Sequence, residues 1–179
     1  LHADKLDERA ALLAHHWEKA GDHVQASLCH ARAAEWAGVR DPAEALRHWR
    51  EVITLLEGVP ESAETIGLGL MARLRFLGMA WRQGVTEDEA GRIFAEGNAL
   101  AERTGNPYLS ALLKFSGIGF QALAGDCKGA LDRMPEILSL AEQTGDAGLR
   151  LAIDSVTSWL LRMVGRLEEA LALADRVIE

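Results

Sequence analysis

The chain has 179 residues, is 49% hydrophobic and carries a formal net charge of -8. The apolar content is ample for a packed core. The acidity argues against the basic footprint that generic nucleic-acid binding needs, and no apolar run approaches the ~20 residues of a membrane-spanning helix. Neither a nucleic acid nor a membrane is therefore an expected partner.

Alanine and leucine dominate and β-branched residues are sparse, which favours helix. Apolar residues recur at helical spacing nearly throughout. Helix 1 is predicted over about 4–20, with Leu6, Ala10, Leu13 and Trp17 on one face and Gly21-Asp22 as its breaker. Helix 2 runs from about 23 to 37 and ends at Gly38-Val39. Asp41 as N-cap and Pro42 as first helical residue open helix 3, which stops near Glu57, ahead of Gly58 and Pro60.

Helix 4, about 62–83, carries the stripe Leu70, Leu74, Leu77 and Trp81, and helix 5 spans about 87–103 before Gly105. Asn106-Pro107 restarts the chain as helix 6, to about 124. Helix 7, about 127–144, contains Pro135, which removes one hydrogen bond and crowds the preceding turn. Either the helix kinks there or it starts later. A kink is preferred, because Ala130, Met134, Ile137 and Leu138 keep one apolar face across the proline. Helix 8 covers about 147–164 and helix 9 begins near Leu167. Because Leu1 and Glu179 both fall within helical patterns, the sequence reads as one repeat domain, residues 1–179, from a longer chain.

The sequence also echoes itself. Leu100-Ala101-Glu102-Arg103-Thr104-Gly105-Asn106 returns 40 residues later as Leu140-Ala141-Glu142-Gln143-Thr144-Gly145-Asp146. A fixed period of this length marks stacked repeats. The turns Gly21-Asp22, Gly38-Val39, Gly84-Val85, Gly125-Asp126 and Gly165-Arg166 are each followed by a small residue, Ala26, Ala45, Ala90, Ala130 or Ala170. A left-handed glycine cap and a short loop fold the next helix back antiparallel, and the alanine lets two backbones approach.

These positions resemble the tetratricopeptide repeat. In helices 4 and 5 the pattern reads Leu74, Leu77, Gly78, Trp81, then Ala90, Phe94, Gly97. Helices 6 and 7 give Phe115, Ile118, Gly119, Ala122, then Ala130, Met134, Ile137. Helices 1 and 2 give Ala10, Leu13, Ala14, Trp17, then Ala26, His30, Ala33. A second match starts inside helix 2, with Cys29, Arg32, Ala33, Trp36, then Ala45, Trp49, Val52, so helix 2 would close one repeat and open another. Helices 8 and 9 match only at Ser158, Leu161 and Ala170.

The resemblance implies an all-α fold, a right-handed superhelical array of antiparallel helix pairs, with Trp17, Trp36 and Trp81 in the core. The phrase Leu12-Leu13-Ala14-His15-His16-Trp17-Glu18-Lys19-Ala20-Gly21 is similar to the start of such arrays in large bacterial signalling ATPases, either nucleotide cyclases or LuxR-type regulators.

There is no Walker phosphate loop and no Gly-x-Ser-x-Gly nucleophile turn. Gly117-x-Gly119, Gly67 and Gly69 lie inside helices and read as close helix packing. His15 and His16 point about 100° apart on a helix and lack a third ligand, so no metal is expected. Glu87, Asp88 and Glu89 complement a helix dipole. Cys29 and Cys127 have neither metal nor disulfide spacing and read as buried thiols of a cytoplasmic protein. The expectation is a non-enzyme without a cofactor.

In the resembling repeats the first helix of each pair lines a concave groove. The corresponding positions are His15, Glu18 and Lys19; Arg75, Met79, Arg82 and Gln83; Ser116 and Phe120; and Ser155, Trp159 and Arg162. Trp159 lies off the Leu149, Ile153, Val156, Leu160 stripe, which marks it for binding. Arg75 and Arg82, two turns apart, also help explain why residues 61–125, with six basic and seven acidic groups, are near neutral. Arginine forks suit carboxylates, so the expected partner is an acidic or C-terminal peptide segment, from another protein or from the same chain. The alternatives are arginines paired with neighbouring glutamates, a small-molecule effector site, and homodimerisation through the terminal helices.

Overall fold

Short polar side chains cap most of the helix starts. Asp41 accepts a hydrogen bond from the Glu44 amide at 3.0 Å ahead of Pro42, and Asn106 accepts one from Tyr108 at 2.9 Å ahead of Pro107. Each satisfies an amide that has no intrahelical partner. The computed structural model of the protein, which describes residues 9–38 and 40–178, has nine helices and no strand among the described residues. They are α1 (Ala10–Ala20), α2 (His23–Ala37), α3 (Pro42–Leu56), α4 (Ala63–Ala80), α5 (Glu87–Thr104), α6 (Pro107–Leu123), α7 (Cys127–Thr144), α8 (Ala147–Met163) and α9 (Leu167–Ile178). The all-α reading and the order of elements hold. Leu6, Val39 and the predicted start of helix 1 near residue 4 lie outside the described residues.

The echo is a turn built twice. Thr104 donates its hydroxyl to the Ala101 carbonyl at 2.6 Å, and Thr144 does the same to Ala141 at 2.6 Å. The amides of Asn106 and Asp146 then donate back to those hydroxyls. Between them Gly105 and Gly145 take φ of 63° and 68°, a left-handed conformation that glycine adopts without a Cβ clash. Helix lengths repeat with the turns: α5 and α7 have 18 residues, α6 and α8 have 17.

The chain divides into two compact units, Leu1–Thr86 and Glu87–Glu179. Within the first, each helix packs on its neighbour in sequence, and α2 also touches α4. Within the second, neighbours pack likewise, and α6 also touches α8. Helix α2 therefore meets α1, α3 and α4. Ala26, Ala45, Ala90, Ala130 and Ala170 are all buried at 4% exposure or less, as the close-contact reading expects.

Several packing expectations need correction. Trp17, Trp36 and Trp81 are 40%, 45% and 41% exposed rather than core residues, whereas Trp49 is buried. For two of them the cover is an arginine: Arg40 lies over the Trp36 ring at 5.5 Å and Arg82 over Trp81 at 4.3 Å. Gly117 does permit close packing, since a Cβ there would meet Phe94 at 2.8 Å, but at Gly67 and Gly119 it would meet nothing within 4 Å. Helix α7 starts at Cys127 and continues through Pro135, so a later start is excluded. Both cysteines are free thiols, half-buried rather than buried.

Candidate binding cleft

In the first unit, α2 and α4 run side by side in the same direction. Gln25 and Leu28 of α2 line one hollow together with Leu68 of α4, and Gly38 lines another together with Met79 and Gln83. Two hollows lie between them. The first, about 570 Å³, is mostly apolar, with Leu28, Cys29, Trp36, Leu68 and Met71 in its walls. The second, about 420 Å³, contains four of the predicted site residues together: Arg75, Met79, Arg82 and Gln83. Their spacing places them on one stripe of α4 and its following turn. Buried Trp49 and half-buried Leu74 contribute apolar wall, and Gly78 leaves its side of the hollow open. From Leu68 to Met79 the two hollows follow α4 for ~16 Å at the helical rise.

Glu35 lines both hollows and stands at their junction. Its Oε1 is 3.0 Å from Arg75 Nε, with both side chains more than half exposed. Arg75 thus has a carboxylate partner already, as the paired-arginine alternative anticipated. A solvated pair of this kind is worth ~0–1 kcal/mol, little enough for an incoming carboxylate to replace it. Arg82 is held by stacking on Trp81. Burial pushes the Cys29 thiol above its usual pKa, against the opposing charge of Arg32.

The remaining predicted residues do not join this cleft. His15 and Lys19 are exposed on α1, where Glu18 turns to His30 instead. Ser116 is half-buried on α6 and donates to the Leu112 carbonyl at 2.9 Å, beside half-buried Phe120. Ser155 and Arg162 are exposed on α8, and Trp159 packs part-buried against the core of the second unit.

Sequence reasoning missed a polar cluster. His30 and His48, 5% and 2% exposed, face each other with Nδ1 atoms 2.8 Å apart. His30 Nε2 is 2.9 Å from Glu18 Oε1, and His48 Nε2 is 3.2 Å from both Arg47 Nη2 and Glu44 Oε1. Burial, then the charge of Arg47, lowers the His48 pKa to about 4. The signal was present as two histidines on otherwise apolar helix faces, where a polar group needs a partner. Among the described residues no group of three or more His, Cys, Asp or Glu is arranged to hold a metal ion. No helix there is long and apolar enough to cross a membrane.

Comparison with protein-family models and with curated proteins finds no match for this chain.

Proposed function

We propose that the chain is a non-catalytic interaction module of the tetratricopeptide class whose α2–α4 cleft receives an acidic peptide segment. The observation that carries this reading is the convergence of Arg75, Met79, Arg82 and Gln83 on one hollow walled by Trp49. Two guanidiniums over an apolar wall suit a carboxylate next to an apolar side chain, and arginine and aromatic residues dominate binding hot spots. The 40-residue turn repeat supports a superhelical stack of helix pairs as the finer architecture. The phrase from Leu12 to Gly21 supports a parent among bacterial signalling ATPases acting in the cytoplasm, where the module would regulate an output domain.

A second reading is favoured by the neighbouring hollow. Its ~570 Å³ and apolar walls fall within the range of small-molecule sites, which would make the module an effector sensor.

The two separate by experiment. Arg75→Glu with Arg82→Glu should abolish capture of a fluorescent glutamate-rich peptide in polarisation titrations while leaving the circular dichroism unchanged. Unaltered peptide binding in the folded double variant would refute the peptide reading. A metabolite thermal-shift response lost in Met71→Ala but kept in the double variant would support the sensor.

A further inference from the structure

The buried histidine pair has one hydrogen-bonding arrangement in which every polar atom is satisfied and neither ring is charged. Glu18 is an acceptor only, so His30 must donate through Nε2–H. A neutral His30 then has a lone pair on Nδ1, and the 2.8 Å contact requires His48 to donate through Nδ1–H. That leaves a lone pair on His48 Nε2, where Arg47 Nη2 donates at 3.2 Å while also holding Glu44 at 2.6 Å. The hydrogen bonds run in one direction, from Arg47 on α3 through both rings to Glu18 on α1.

The geometry points to a one-proton clasp: a single proton held between His30 and His48 ties α3 to α2, His30 holds α1 in turn through Glu18, and acid opens the clasp. A further proton on His48 Nε2 must displace Arg47 and turn to Glu44 Oε1 at 3.2 Å, an attraction that burial and the Arg47 charge outweigh, and a proton on His30 Nδ1 would set two N–H groups face to face. The ionisable groups around the pair are Glu18 from α1 and Glu44 and Arg47 from α3, and Glu51 acts on Arg47 in turn. Glu18 and Glu44 have side chains 37% and 42% exposed, so protons can exchange with solvent at both ends of the chain.

The linkage has a definite sign. His48 is held below its ordinary value, at about 4 in place of 6.5. Between those values the unfolded chain binds a proton that the folded chain refuses, so stability is fully present above pH ~6.5 and is lost as the pH falls. For one such site the folding equilibrium drops about 30-fold between pH 8 and pH 5.

The test is denaturant unfolding of the whole chain at pH 8 and pH 5, wild type against His48→Gln. Glutamine can donate to His30 and accept from Arg47, but it does not titrate. The wild type should lose about 30-fold more in its folding constant than the variant, and equal losses would overturn the clasp. Should His48→Gln fail to fold, nitrogen-detected NMR of the wild-type histidines at pH 7.5 decides. The clasp requires His30 in the Nε2–H form and His48 in the less common Nδ1–H form. The reverse tautomers, or an imidazolium on either ring, would overturn it. So would stoichiometric zinc or copper binding that shifts both rings, which would make the pair a metal site.

Discussion

At Gly78 a Cβ would meet no atom within 4 Å, although the residue lies in α4 and borders the cleft. A side chain there would project into the hollow without displacing the fold. Gly78→Leu is expected to raise stability by about 0.5–1 kcal/mol through helix propensity and to abolish peptide binding in the same titration. A folded variant that binds as before would show that ligands sit elsewhere. The stripe of Arg75, Met79, Arg82 and Gln83 was legible because helical spacing alone puts these residues on one face. Glu35 was not, because its pairing with Arg75 depends on α2 lying beside α4, and nothing in either helix's own sequence states that. The same limit explains the tryptophans. Periodicity tells which face Trp36 and Trp81 share with the stripe, but not whether another element covers that face. The rings instead lie against Arg40 and Arg82, which follow them in the chain.

At the scale of the element, boundaries were largely legible wherever capping chemistry is local. Helices α2 and α7 run over the predicted residues, since Asp22 and Asp126 cap their starts and Gly38 and Gly145 follow their ends. Helix α4 stops at Ala80, short of the expected 83, because the chain passes into a turn whose amides at 82 and 83 bond three residues back. Helix α7 makes the sharpest energetic case. Pro135 has no amide hydrogen, so the Leu131 carbonyl loses its usual donor, yet Met134 and Ile137 remain buried on either side. The apolar face is thus what keeps the helix in place through the proline. Pro135 itself is exposed, so Pro135→Ala removes little packing and restores the hydrogen bond. It should add about 1–3 kcal/mol to unfolding stability, read as a raised denaturant midpoint at unchanged slope. A lowered midpoint would mean that the ring's restriction of the unfolded chain outweighs the strain it imposes.

At the scale of the whole molecule, the packing is carried by helices close in sequence: each unit is held by neighbour-on-neighbour contacts and one contact to the next helix but one. Arrays of this kind approximate a one-dimensional sum of local stabilities and interfaces. The first unit buries Trp49, Leu70, Phe76 and Leu77, and the second buries Leu113, Ile118, Met134, Ile137, Ile153 and Leu160. Each therefore contains large side chains at 1% exposure or less on its own side of the Thr86–Glu87 division. Since burying one such side chain contributes ~1.5–3 kcal/mol before entropy is charged against it, both halves have the makings of a cooperative core. Residues 1–86 and 87–179, expressed separately, should each show helical circular dichroism and a cooperative melt. The first should retain the acidic-peptide binding assigned to its cleft, because every residue lining that cleft lies within it. If neither half is helical alone, the array folds as one unit and the division is geometric only. If the first half folds but no longer binds, the cleft as drawn is an incomplete site and residues beyond Thr86 must contribute to it.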